Sequence, residues 1–289
     1  MKLFLLLLLL FTANIAGAKS VEFLPVPAND IVRHTYYSLS YNENYEQANW
    51  VYYSLTDSMV FNSGQERKNS FKMDKSVVSV SAKSSDYTNS GFDRGHLCPA
   101  GDMDFNAVAM AESFLMSNIS PQVPDFNRGV WKELEFKVRD WATKERQLFV
   151  VTGPVFKDNK GTIGKEEVVV PGYYYKIIYD PTDEPKILAF VLPNEKSDRP
   201  LYDFAVTVDE AEKLTGFDFY SQLPDEIENR LEAKVQLAGW FEGFAPETPL
   251  ATTFTKETPD PNINVLLILV AVIVFVILFM ALISRRTKR

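Results

Sequence analysis

Residues 265–283 constrain this chain more than any other feature: nineteen consecutive residues without a charge, almost all Val, Ile, Leu, Phe, Met and Ala. At the helical rise such a run spans ~28 Å, close to the hydrocarbon thickness of a bilayer. A core helix could not bury every face of it. Arg285, Arg286, Lys288 and Arg289 follow at once, and a basic cluster just beyond a span is retained on the cytoplasmic side. The N-terminus carries a second apolar run, residues 3–11, after Lys2 and before Ala16-Gly17-Ala18. That run is too short to span well. With a positive start and small residues at its end it has the pattern of a secretory signal cleaved after Ala18, with an uncleaved N-terminal anchor as the alternative. Residues 246–262 hold Pro246, Pro249, Pro259 and Pro261 among Thr and Glu, the composition of a linker. The expected organisation is therefore a signal peptide (1–18), a globular domain (19–245), a linker (246–262), a transmembrane helix (263–284) and a basic cytoplasmic tail (285–289). The domain would sit outside the cytoplasm, in a periplasm, a lumen or the exterior.

The globular part is rich enough in apolar residues for a single core, at 46% over the chain with 13% aromatic. One cysteine, Cys98, excludes an intrachain disulfide and any multi-cysteine zinc site. Chemistry that needs an imidazole has only His34 and His96 to draw on. The net charge is −8 (30 − 38), which counts against a broad phosphate-binding surface. A local strip survives that objection. Arg67, Lys68, Lys72, Lys75, Lys83 and Arg94 stand against Asp74, Asp86 and Asp93 in one segment, and a solvated face remains the alternative for it.

Patterning gives an α+β domain. Residues 35–41 and 50–55 are aromatic and β-branched, and the polar residues 42–47 between them form a turn, so an antiparallel hairpin is expected. Residues 74–85 are a strand or loop, residues 105–115 have helical spacing, and residues 115–120 end as a strand edge at Pro121. Trp131, Leu134, Val138 and Trp141 form an apolar helical stripe. Strands are expected over 147–152, 167–170, 173–179 and 186–192, and a further helix from Pro224-Asp225. Trp240 and Phe241 would close the core.

The stretch Asp93-Arg94-Gly95-His96 carries chemistry. Phosphodiester hydrolysis needs a base for water, cationic neutralisation of the transition state, and help for the leaving oxygen. A histidine is largely neutral at neutral pH and accepts a proton. In extended backbone Arg94 shares a face with His96, so a fixed cation and a base meet one phosphate. Gly95 allows a close approach, and Asp93 can cap a turn or orient a neighbour. These four residues alone suit a structural histidine as well. Asn127, Trp131 and Glu135 fall at i, i+4 and i+8 at the start of the striped helix, which puts Asn127 and Glu135 ~80° apart. An N-cap role also suits Asn127. His96 and Cys98 at i, i+2 raise a Cys–His hydrolase as a rival, although nothing else orients such a pair. His34 precedes an aromatic strand and reads as structural.

The setting of those residues narrows the choice. Residues 91–102, Gly-Phe-Asp-Arg-Gly-His-Leu-Cys-Pro-Ala-Gly-Asp, resemble the signature of the DNA/RNA non-specific endonuclease family. Residues 114–122 and 126–135 resemble its second and third blocks, in order and spacing. A shorter upstream match includes Arg67, Phe71 and Asp74. The resemblance implies a ββα-metal (His-Me finger) nuclease with a central antiparallel sheet and flanking helices. His96 would be the general base and Asn127 the single protein ligand of Mg²⁺, with Mn²⁺ as a substitute. Glu135 would hold water of the metal's coordination shell, Arg94 would stabilise the transition state, and Asn118 would support the site. Arg67 and Arg94 would contact the substrate phosphate. DNA and RNA are the implied substrates, the membrane is a partner through the C-terminal helix, and a homodimer is left open. Two other readings stay in view: a catalytically weak nucleic-acid-binding module, and a phosphodiesterase of small diesters.

Overall fold

A computed structural model describes residues 22–78, 81–182 and 184–244. The expected signal peptide, linker, transmembrane helix and tail lie outside the described residues. Among the described residues no helix is long and apolar enough to cross a membrane.

The strands, in chain order, are β1 (Ile31–Arg33), β2 (Tyr37–Asn42), β3 (Gln47–Thr56), β4 (Asp93–His96), β5 (Ile119–Gln122), β6 (Gln147–Val155), β7 (Thr162–Ile163), β8 (Val168–Val169), β9 (Tyr173–Asp180), β10 (Lys186–Pro193) and β11 (Ala205–Val206). The helices are α1 (Asp57–Phe61), α2 (Ala107–Ser113), α3 (Pro124–Asn127), α4 (Val130–Glu145), α5 (Val208–Thr215) and α6 (Asp225–Glu232). Seven strands make one antiparallel sheet in the order β1-β2-β3-β6-β9-β10-β11. The expected hairpin is present as β2 and β3, with Tyr37 opposite Tyr53 and Leu39 opposite Val51. Its neighbour β6 continues the ladder by pairing Val51 with Thr152.

Side chains alternate across a strand, so the sheet has two apolar faces. Tyr175, Ile177 and Tyr179 of β9 point to a core shared with Phe23, Val208, Ala211, Phe219 and Leu231. The other face meets α4: Tyr174 packs on Trp131 at 5.7 Å, and Phe190 stacks with Trp141 at 6.3 Å. The α4 stripe is buried as its periodicity predicts, at Trp131, Leu134, Val138 and Trp141. Truncating one of these tryptophans to alanine costs about 3–5 kcal/mol. Trp240 is buried against Trp141 at 5.0 Å and accepts the Trp141 indole N–H on its carbonyl at 2.7 Å, so it closes that core as expected. Phe241 is only partly buried beside it.

Two features depart from the expectation. Asn127 does not begin the striped helix. It ends the short α3, and Gly129 separates the two helices with φ −104 and ψ −117. A Cβ at Gly129 would lie 2.4 Å from the Asp125 carbonyl oxygen, so only glycine fits this corner. Of the two alternatives for residues 74–85, the loop is found wherever they are described, and it leads into a tight 3-10 turn at Ser84–Tyr87. Helix α5 is new. Its start is nonetheless written in the sequence as Thr207 and Glu210, which form a reciprocal capping box, and its end as Gly216 at φ 76.

Candidate active site

Strands β4 and β5 form a separate two-stranded ribbon, with His96 opposite Ile119 and Arg94 opposite Pro121. Gly95 in the middle admits the Gln122 side chain. A Cβ there would meet Gln122 Cδ at 2.2 Å. The close approach expected at Gly95 is therefore made by a neighbouring strand. The ribbon, the loop from Ser63 to Phe71 and the exposed face of α4 enclose a cavity of about 1130 Å³. Its walls include Arg67, Arg94, His96, Asn127 and Glu135, five of the six expected site residues.

His96 is only 7% exposed. Its ring meets Phe114 edge-on at 4.8 Å and Phe71 at 5.7 Å, and its Nε2 is buried without a hydrogen-bond partner. Burial, and then the charge of Arg67, pull its pKa down to about 3. The imidazole is thus neutral across the physiological range.

The two arginines are held from the side. Arg94 donates through Nε to the Ser84 carbonyl at 3.2 Å and through Nη2 to Thr88 Oγ1 at 3.2 Å, and its guanidinium lies over Phe71 and Tyr87. Arg67 donates to Asn69 Oδ1 at 3.0 Å and lies over Phe114 at 5.5 Å. Neither forms an ion pair with a carboxylate among the described residues, which leaves two oriented cations facing the cavity. Hydrogen bonds to neutral groups and contacts with aromatic faces fix direction without cancelling charge.

Asp93 does the opposite, taking up charge. Its carboxylate accepts Arg128 Nε at 2.8 Å and Nη2 at 2.6 Å, and also the Asn127 amide Nδ2 at 2.9 Å. With Nδ2 engaged, the carbonyl Oδ1 of Asn127 is the group left for a ligand. Across the cavity Glu135 is lifted to about 7 by burial, with Lys176 opposing, Asp102 adding, and Arg139 and Arg67 opposing in turn. Lys176 lies in the core behind it, fully buried, 4.8 Å from the Trp131 ring centroid. Arg139 also reaches the cavity, but Asp102 neutralises it at 2.6 Å, and Tyr53 donates to that same carboxylate at 2.8 Å. A carbonyl and a carboxylate lining one cavity are hard oxygen donors, the set that suits Mg²⁺ with retained waters.

Asn118 is the one expected site residue that the cavity does not include. It is fully buried and its amide is spent on backbone: Oδ1 accepts Cys98 N–H at 2.8 Å, and Nδ2 donates to the Cys98 and Ser113 carbonyls at 2.9 Å each. It pins the chain just past His96. Cys98 is itself fully buried, and burial, followed by the nearby Asp102 charge, pushes its thiol up. Fully buried and absent from the cavity wall that His96 lines, it is not placed to serve as a nucleophile there. His34 is structural as expected, with its side chain 6% exposed and bonded to Asp74 at 2.9 Å.

Sequence reasoning missed Arg128, Lys132 and Phe136 on the cavity wall. Lys132, Phe136 and Arg139 recur at i, i+4 and i+7 beside Glu135, with Phe136 held between Lys132 at 5.5 Å and Arg139 at 4.7 Å. That spacing is visible in the sequence, but a charged helical stripe ordinarily means a solvated face.

A histidine-bearing ribbon and a helix that share a cavity with two arginines free of ion pairs among the described residues suit an enzyme that cleaves phosphodiesters. Residues 18–226 match the DNA/RNA non-specific endonuclease family, and the chain belongs to it. It is a nuclease, a hydrolase. It is 38% identical to Nuclease C1 of Cunninghamella echinulata var. echinulata over 216 residues, 69% of this chain and 86% of that protein. Identity to a nuclease of Nostoc sp. is 34% over 242 residues, 78% of this chain and 85% of that one. A solved structure of EndoG in complex with EndoGI is similar to it at a TM-score of 0.62 and 30% identity, covering 68% of this chain and 87% of that chain.

Proposed function

We propose that this protein is a Mg²⁺-dependent endonuclease that hydrolyses phosphodiester bonds of both DNA and RNA, with Mn²⁺ able to replace Mg²⁺. The observation that carries the reading is the convergence of His96, Arg94, Arg67, Asn127 and Glu135 on one cavity in an otherwise acidic protein. His96 removes the proton from the attacking water, as a neutral imidazole does. Arg94 and Arg67 hold the scissile phosphate and offset the charge that develops on it. Asn127 Oδ1 would hold the cation, and the Glu135 carboxylate on the same cavity would support it. When bound there, the cation supplies Lewis-acid stabilisation of the phosphoryl oxygens and the leaving group. Contacts confined to phosphate carry no base information, which accounts for cutting without sequence preference.

Digestion of supercoiled plasmid and of structured RNA by the full-length protein tests this, across Mg²⁺, Mn²⁺, Ca²⁺ and EDTA. Both polymers are cut with Mg²⁺ or Mn²⁺ and neither with EDTA. Cleavage of small diesters at rates matching plasmid, or cleavage in EDTA, contradicts the reading.

The nuclease domain is further proposed to stand outside the cytoplasm, delivered by residues 1–18 and held by a helix at 263–284 with residues 285–289 inside. The support is the sequence pattern of those segments. Protease added to intact membranes then removes the domain and spares the tail. Protection of the domain argues against it.

A further inference from the structure

The cavity of the proposed active site lies on α4, which packs on one face of the sheet. On the other face, where α5 and α6 pack, Asp209, Glu212 and Glu232 each bring one carboxylate oxygen to within 4.8 Å of the others. Asp209 and Glu212 are three residues apart on α5 and so share a face. Glu232 is the last residue of α6. No lysine, arginine or histidine forms an ion pair with any of the three among the described residues. Acidic clusters of this kind are usually solvated, but Glu232 is not: it is 7% exposed, and its Oε1 is buried without a hydrogen-bond partner. Its position adds to the cost, since the carbonyl end of a helix repels a carboxylate. Glu228 and Asp218 add further negative charge, and Glu212 already spends one oxygen on the Phe219 N–H at 2.9 Å. A buried, unpaired carboxylate is expected to be relieved by a cation or a proton.

We infer that Asp209, Glu212 and Glu232 form a second divalent-cation site, structural and separate from catalysis, that takes Ca²⁺. Three carboxylates are a hard oxygen set. Ca²⁺–O distances of about 2.3–2.6 Å bridge oxygens up to about 5 Å apart, whereas the shorter reach of Mg²⁺ demands a tighter cage. The ion would tie the first two turns of α5 to the last turn of α6, so its effect falls on stability and leaves the cutting chemistry alone.

The test begins with Asn127→Ala in the full-length chain, which removes the cation ligand proposed for the active site. Calorimetric titration of this variant with CaCl₂ in metal-stripped buffer shows one bound ion. Ca²⁺ at about a hundredfold above its Kd raises the melting temperature by about 5–10 °C. Adding Asp209→Asn and Glu232→Gln abolishes both responses. Metal-free, this variant melts no lower than its parent, because the buried charge is gone. Asp209→Asn with Glu232→Gln on the wild-type background cuts plasmid at the wild-type rate in saturating Mg²⁺. The inference is overturned if Asn127→Ala binds no Ca²⁺ at millimolar concentration, or if the added substitutions leave binding and the melting shift intact.

Discussion

Asp93 holds Asn127 by its amide nitrogen, at 2.9 Å, while its other oxygen is taken by Arg128 at 2.6 Å. The consequence is an asparagine that can turn only its carbonyl to the cavity. Partners of this kind set the orientation of a metal ligand, and losing one typically weakens metal binding by about 10–100-fold. Asp93→Ala should therefore raise the Mg²⁺ concentration for half-maximal plasmid cleavage by about that factor, while the rate at saturating Mg²⁺ falls less. A Mg²⁺ titration of the variant beside wild type gives the answer. An unchanged midpoint would show that Asn127 is oriented by something else.

His96 should stay neutral far into acid. Burial, and then Arg67, hold its pKa down to about 3. The sign is that of a lowered base: the neutral form persists above about 3 and is lost only below it. In metal-free protein the His96 ring signals should show no titration between about pH 8 and pH 4 by NMR, and assignment is simple with two histidines in the chain. Arg67→Ala should move the midpoint upward. A midpoint near the ordinary histidine value in wild type would mean that the ring is solvated.

Asp74 should make the fold acid-sensitive in a narrow window. Burial acts to raise its pKa, but hydrogen bonds from His34, Ser117 and the Ser76 backbone overcome this and hold it at about 2 against an ordinary 3.8. A carboxyl lowered on folding contributes stability above its unfolded pKa and loses it as pH falls through the folded one. About 2 kcal/mol should then disappear between roughly pH 4 and pH 2. Asp74→Asn removes that dependence, and leaves the side chain of His34, 6% exposed, without its charged partner. Urea unfolding of both proteins from about pH 6 to pH 2 measures the difference.

Gly129 should be intolerant of any side chain. With its backbone at φ −104 and ψ −117, a Cβ there would stand 2.4 Å from the Asp125 carbonyl oxygen, so Gly129→Ala must shift the α3–α4 corner. A loss of about 1–3 kcal/mol is expected. Cutting should fall with it, because the same corner carries Asn127. Thermal unfolding together with plasmid cleavage decides between a displaced corner and a silent change.

How much of the fold is readable in the sequence depends on the range of the contact. The β2–β3 hairpin, the α4 stripe and the shared face of Arg94 and His96 rest on periods of two and 3.6 residues, and each is found where the pattern puts it. The placement of Asn127 and Glu135 on one continuous helix fails at Gly129, although the corner still delivers both to the cavity. A glycine with unusual torsions leaves no periodic trace. Lys176 is equally beyond the reach of pattern. It lies in an expected strand, but a lysine fully buried behind Glu135 needs the opposing helix to explain it. Helix α5 is a different case, since Thr207, Glu210 and Gly216 announce both of its ends.

The mechanism turns on His96 as the base, and one comparison tests that most directly: initial rates of plasmid cleavage by full-length wild type and His96→Ala at equal Mg²⁺, with circular dichroism to show that both are folded. Removal of a general base costs about 10²–10⁴-fold, so the variant should lose at least the lower end of that range. A folded His96→Ala protein that cuts at the wild-type rate would contradict the mechanism.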